Sequence, residues 1–204
     1  EGWQLQCNSK FSYQDFKNID FIWFSHEHPD HFMPRVIKKI PKSYKSNITV
    51  LYQETIDKKV KSFCEKEDFK AIIELPPDNW ISIDEKAKVM CSPFGKGDSW
   101  LAFNDGEKTI LNLNDCPIKT KKQCQKIKNQ VGPVSLLFSQ FSFANWVGNR
   151  GDSETPLLHA KSVLDRLELQ CKIFSPEFIV PFASFVIFCR AENTYFNKYV
   201  NKIR

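Results

Sequence analysis

The chain has 204 residues and 23.8 kDa, with 42% hydrophobic and 26% charged residues, too much apolar material for a disordered segment and enough length to bury a core. Its 29 Lys and Arg against 24 Asp and Glu leave +5, spread over short lysine clusters that read as solvated helix faces, with no arginine-rich stripe or nucleic-acid motif. No window approaches the roughly 18 apolar residues of a spanning helix, EGWQLQCNSK does not read as a signal peptide, and seven cysteines without a C-x-x-C pair argue against a disulfide framework and a zinc ribbon.

A soluble, cytoplasmic protein is expected, and a single domain over 1–204, since neither a repeat nor a long linker divides the chain. Ile19 to Phe24 is short, apolar and aromatic, as a buried strand would be, and a helix-like run from Met33 to Ile40 closes at Pro41. Strand Ile48 to Tyr52 leads to a helix from Thr55 to Glu65, with Ile56, Val60, Phe63 and Cys64 on one face, and then to strand Ala71 to Leu75. From Trp80 to Leu113 the texture is strand-like: Trp80 to Ile83, Lys88 to Cys91, Ser99 to Phe103 and Thr109 to Leu113. Asn104-Asp105-Gly106 makes a hairpin turn, because Gly takes positive φ cheaply. A basic helix from Lys121 to Gln130, a buried strand from Val134 to Phe138 and an aromatic loop to Gly151 follow. The helix from Pro156 to Leu169, capped by Ser153 or Thr155, precedes strand Phe178 to Phe182 and further β-like residues to Phe188. Sheets covered by helices are implied, an α/β or α+β layered fold.

Three of the four histidines fall in Ser25-His26-Glu27-His28-Pro29-Asp30-His31, directly after the first buried strand. Neutral imidazole is a common metal ligand. A tight loop at a strand end can aim His26 and His28 at one cation while Asp30 and His31 turn toward a second, so the spacing suits a two-metal site. The fourth histidine, His159, sits in a helical pattern and reads as an ordinary helix residue.

H-x-H-x-D-H after a hydrophobic strand resembles the metallo-β-lactamase superfamily, and His26, His28, Asp30 and His31 match that motif position for position. The resemblance implies an αββα sandwich, with His26 and His28 on one metal and Asp30 and His31 on the second. It makes Asp30 also the catalytic residue that orients the attacking hydroxide. An Asp ending a later strand bridges the metals in that family, and Ile110-Leu111-Asn112-Leu113-Asn114-Asp115 is similar to that segment, so Asp115 is the candidate bridge. Two further family histidines are missing, since neither Cys91 to Ser99 nor Ile179 to Ala183 contains one. Either one cation is held by His26, His28 or His31 with Asp30 and Asp115, or Asp98 or Cys116 replaces an imidazole. Asp98 reads chiefly as a turn residue and Cys116 chiefly as a packed thiol. The expected cofactor is zinc, as one or two ions with low or mononuclear occupancy, with iron or manganese as alternatives.

Phe21 to His31, Asn112 to Pro117, the loop Phe141 to Gly148 and Pro181-Phe182-Ala183 are similar to the metal domain of the CMP-N-acetylneuraminate hydroxylase type. A Rieske module supplies electrons in that type. This chain has no C-x-H and C-x-x-H pair, so the resemblance implies the metal domain alone, with a nucleotide-sugar substrate and a Rieske-type redox partner. It also implies strands ahead of the motif, more than the 24 residues before Ser25 provide, and Glu1-Gly2-Trp3 reads as mid-loop. An N-terminally truncated chain, lacking part of a sheet, is expected.

In the aromatic loop, Phe141, Phe143 and Trp146 either stack on a base or sugar or seal the core. Asn145 and Trp146 there, with Lys96 and Arg150, are the candidate substrate-binding residues, for an anionic nucleotide, phosphosugar or ester. The leading expectation is a metallo-hydrolase in which a cation lowers the pKa of water to about 7. The others are an iron-dependent hydroxylase-like enzyme and a metal-binding module without catalysis.

Overall fold

The structure is a computed structural model, and it describes residues 3–5, 10–143, 145–184 and 186–202. Glu1 and Gly2 of the mid-loop reading, Cys7, and Ala144 of the aromatic loop lie outside the described residues. In chain order the elements are β1 (Trp3–Leu5), β2 (Phe21–Phe24), α1 (Pro34–Ile37), α2 (Lys42–Lys45), β3 (Thr49–Gln53), α3 (Lys59–Lys66), β4 (Ala71–Leu75) and β5 (Trp80–Ser82). They continue with β6 (Lys88–Phe94), β7 (Asp98–Asn104), β8 (Thr109–Asn112), α4 (Lys121–Val131), β9 (Leu136–Gln140), α5 (Glu154–Phe174), β10 (Phe178–Phe182) and β11 (Val186–Phe188). Short 3-10 turns cover Tyr13–Asn18 and Thr194–Lys198. The fold is the mixed, layered α/β arrangement that the order of elements implies. No helix is long and apolar enough to cross a membrane among the described residues.

The chain divides into two compact units, Lys10–Cys116 and Pro117–Arg204 with Glu1–Ser9. In the first, β2, β3 and β4 form a parallel sheet with β3 in the middle, and β5, β6, β7 and β8 run antiparallel as a meander. Successive residues of a strand face opposite ways, so β2 serves two cores at once. Phe21 and Trp23 join Leu51, Leu75, Val89, Cys91 and Leu101 between the two sheets. Ile22 and Phe24 join Val50, Tyr52, Val60, Cys64 and Ile37 beneath the helices. All five residues of β3 are buried, which is why the sequence there shows an apolar run instead of alternation.

In the second unit β9 and β10 pair in parallel and β1 pairs antiparallel with β11. Gln170 of α5, fully buried, accepts from Ser139 Oγ of β9 (2.6 Å) and donates to the Ile118 carbonyl (2.8 Å). Arg166 reaches the Gln140 carbonyl at 2.8 Å. Phe143, Phe188 and Phe196 form a second core there with Ala160 and Val200.

Three local expectations are corrected. The run from Met33 to Ile40 is helical only over α1, where Pro34 starts the helix and Met33 caps it with no side-chain hydrogen bond. Helix α3 begins at Lys59 and not Thr55, because Lys58 is left-handed (φ 52°) and the Asp57 carboxylate accepts from Lys59 N at 3.3 Å. Ile56 is therefore outside the helix and fully exposed, at 102%. At the start of α5 Ser153 holds the N-cap position, as one of the two expected residues, but its side chain makes no capping hydrogen bond; Asp152 Oδ1 instead accepts from the amides of Glu154 (3.1 Å) and Thr155 (3.0 Å).

Candidate metal centre

All the residues of the centre belong to the Lys10–Cys116 unit. After β2 the chain turns sharply: the His28 carbonyl accepts from His31 N (2.9 Å) and Phe32 N (2.8 Å). Phe32 is buried edge-on against Phe24, with ring centroids 5.0 Å apart, which anchors the far end of the loop in the helix-side core. A second turn follows β8. Asn112 Oδ1 accepts from Asn114 N at 2.9 Å and Asn114 takes φ 50°, a left-handed geometry that asparagine tolerates, so Asp115 points back to the histidines.

The polar atoms converge. His26 Nε2 lies 2.9 Å from His28 Nδ1 and 3.6 Å from Asp98 Oδ1, while His31 Nε2 lies 3.0 Å from Asp115 Oδ2 and 3.4 Å from Asp30 Oδ2. Two donor sets result, His26 with His28 and Asp98, and His26 with His31 and Asp115, each with its ligand atoms within 4.8 Å of one another. Metal bonds of about 2.0–2.2 Å put neighbouring donors roughly 3–3.5 Å apart around a shared cation. The observed spacings suit a metal ion, and the residues fit one.

A buried polar frame holds the rings. Ser25 Oγ lies 3.0 Å from His26 Nδ1 and 3.4 Å from His31 Nδ1, so one hydroxyl engages the far nitrogen of both rings and leaves the two Nε2 atoms for the centre. Asn114 Nδ2 approaches His26 Nδ1 at 3.4 Å. The Ser25 carbonyl accepts from Ser99 Oγ of β7 (2.7 Å) and Gln53 Nε2 of β3 (3.1 Å), and Gln53 also donates to the Gly97 carbonyl at 2.5 Å.

The electrostatics follow from this packing. Burial, and then the neighbouring His31, hold His26 below the ordinary imidazole range. Burial opposes a charge on His31, but the hydrogen bond and charge of Asp115, with Asp30 and Asp98, outweigh it and raise its pKa. Asp115 is lowered in turn, because His31 outweighs the desolvation of its carboxylate.

Of the residues expected from sequence, His26, His28, His31 and Asp115 come together. Asp30 stands at the edge, its side chain 65% exposed, beside His31 and in neither donor set. Asp98 is the principal correction. It opens β7 opposite Phe94, and the strand pairing across the Gly95–Gly97 turn carries its carboxylate to His26 where a lone turn residue would face solvent. Cys116 is a packed thiol, 3% exposed, with its pKa pushed up first by burial and then by Asp98. His159 lies on α5 with its ring edge-on to Phe143 at 5.3 Å.

Lys96 lines a 510 Å³ cleft with His26, His28, Tyr52 and Gln53. Asn145, Trp146 and Arg150 belong to the other unit. There Phe141 and Phe143 are core residues, 3% and 0% exposed, so those two rings seal the interior. Trp146 stays 58% exposed and edge-on to Phe196 at 5.5 Å. Gln53, Ser99 and Asn114 escaped the sequence reading. The available signal for Gln53 was a polar residue ending an apolar strand.

No protein-family model matches the sequence, and no curated protein matches it. Solved structures do. CmlA, a diiron β-hydroxylase from Streptomyces venezuelae, superposes with a TM-score of 0.62 at 15% identity over 82% of this chain and 36% of its own, so this chain spans about a third of that protein. Human tRNase Z, short form, gives 0.55 at 15% identity over 84% of this chain and 80% of its own. The metallo-β-lactamase fold protein YhfI from Bacillus subtilis gives 0.51 at 16% identity, over 84% and 78% respectively. At these identities the likeness speaks of architecture, and with the layered sheets and the histidine loop at a strand end it leads to one conclusion: this chain has the metallo-β-lactamase fold.

Proposed function

We propose that this chain is the metal-binding domain of an iron-dependent oxidising enzyme of hydroxylase type. The carrying observation is that His26, His28 and Asp98 make a set of two histidines and one carboxylate, with Asp98 standing where an imidazole was expected. Two imidazoles and a carboxylate with open positions suit Fe(II). His26, His28 and Asp98 would hold one ion, and His31 and Asp115, with Asp30 beside them, a second. Bound iron supplies activation of O2 for insertion of one oxygen atom into a C–H bond, the other leaving as water, with two electrons and two protons drawn from a separate reductase such as a Rieske-type protein.

The chain's own groups position and exclude. Ser25 fixes both rings through Nδ1, Gln53 and Ser99 fix Ser25, and the Asn112–Asn114 turn presents Asp115. Lys96 draws the acid group of a small-molecule substrate into the cleft.

A second reading, metal-dependent hydrolysis, is favoured by Asp30, whose exposed carboxylate beside His31 is free to orient a water. The likeness to tRNase Z over most of that chain's length is compatible with it. The two readings part in one experiment. The apo-protein is titrated anaerobically with Fe(II) and with Zn(II), stoichiometry is read by elemental analysis and iron by Mössbauer spectroscopy, and O2 uptake is followed with a chemical reductant. Retention of iron with reductant-dependent O2 uptake, and a shift of preference toward zinc in Asp98→His, are the expected results. Exclusive zinc retention with phosphodiester hydrolysis would replace the first reading by the second.

A further inference from the structure

The cleft beside the histidines carries unspent charge of both signs. Besides His26 and His28 it is lined by Glu27, Tyr52, Asp57 and Lys96. Asp57 is engaged, 3.1 Å from Lys59 Nζ and bonded to Lys59 N. Among the described residues neither Glu27 nor Lys96 has an ion pair or a hydrogen bond, although the Glu27 charge is also felt by Lys59. Both residues are exposed, and Glu27 stands between His26 and His28 in the chain. Lys96 rides the turn from β6 to β7 between Gly95 (φ 65°) and Gly97 (φ 132°), and the Gly97 carbonyl is tied to Gln53. On the Glu27 side the cleft is lined by two carboxylates, Glu27 and Asp57, the second of them paired with Lys59.

We propose that this cleft binds a zwitterionic small molecule, its protonated amine against Glu27 and its carboxylate or phosphate against Lys96, with the carbon body between them beside His26 and His28. A purely anionic ligand would satisfy Lys96 and meet repulsion at Glu27; a purely cationic one would do the reverse. Only a ligand bearing both charges uses both groups. The inference rests on the hydroxylase reading for what is then done to the ligand, but not for the binding itself.

The test is calorimetric, on metal-loaded protein. The standard L-amino acids and O-phosphoethanolamine are titrated together with matched analogues lacking either charge, phenylpropionate and phenethylamine among them, and with CMP as an anionic nucleotide. At least one zwitterion is expected to bind roughly tenfold or more tighter than both its analogues, the size of one lost charged hydrogen bond, and with less salt dependence than CMP. Glu27→Gln should weaken the zwitterion and the amine by a similar factor and leave the acid unchanged, while Lys96→Met should weaken the zwitterion and the acid. Equal binding of acids and zwitterions, insensitivity to Glu27→Gln, or no binding by any zwitterion overturns the proposal. Metal content measured on the same samples separates the two failures: retained iron without zwitterion binding sinks the substrate class alone, and a protein that takes up no iron sinks the hydroxylase reading.

Discussion

Ser25 shows how much a small side chain can organise. It is 5% exposed, and its hydroxyl is the shared contact of the two rings that carry most of the centre. Outer groups of this kind fix ring orientation and basicity, and their removal typically costs ten- to hundredfold in metal affinity. Ser25→Ala is accordingly expected to weaken metal binding by roughly that factor, read by competition with a chromophoric chelator, while the secondary structure seen by circular dichroism stays as it is. An unchanged affinity would mean that the rings are set by their backbone alone. Asp98 belongs to the same scale. Its neighbours Gly97 and Ser99 both touch the Ser25–Gln53 frame, so the strand that supplies the third donor also clamps the loop that supplies the first two.

At the scale of the element, α3 starts against its own dipole. Its first turn has no acidic residue, and Lys58, Lys59 and Lys61 crowd the end where positive charge is disfavoured. Glu74 on β4 supplies the missing anion, 2.7 Å from Lys58 Nζ and 3.0 Å from Lys61 Nζ, and so ties the helix to the parallel sheet. Burial alone would raise the Glu74 pKa, but the two lysines outweigh it and hold the carboxyl below its ordinary value. A depressed carboxylate contributes stability that is complete above the unfolded pKa, near 4.3, and lost as pH falls through the lower folded value. Because both lysines are over a third exposed, solvent screening keeps this contribution small. Urea denaturation of Glu74→Gln should show that loss at pH 7 and almost none at pH 2.5. An equal loss at both values would assign the effect to packing.

For the whole molecule the consequence is linkage. Every donor of the centre lies in the Lys10–Cys116 unit, on segments that the fold must assemble before a cation can be held. A metal that binds only the folded form stabilises it by RT ln(1 + [L]/Kd), about 2.7 kcal/mol at a hundredfold excess over Kd. Fe(II) added anaerobically at that excess is therefore expected to raise the thermal midpoint, and Asp98→Asn should remove most of the rise at the same metal concentration. A midpoint indifferent to metal would show that the donors do not act as one site in the folded chain.

What the sequence by itself determined is local. The histidines are neighbours in the chain, the apolar strand before them is contiguous, and the hairpin at Asn104-Asp105-Gly106 needs only its own residues, with Gly106 at φ 98°. Asp115 was also legible, through its motif, although it meets His31 across 84 positions. Tertiary structure alone decided the rest, because those interactions join residues that no spacing rule connects. Ser99 reaches Ser25 across 74 positions and Gln53 reaches Gly97 across 44. Asp98 comes beside His26 through strand register, which a one-residue slip would reverse. The same holds for the cleft: the sequence shows Glu27 and Lys96 as two surface charges among many, and only the packing of β3 against the turn after β6 brings them to line one cleft.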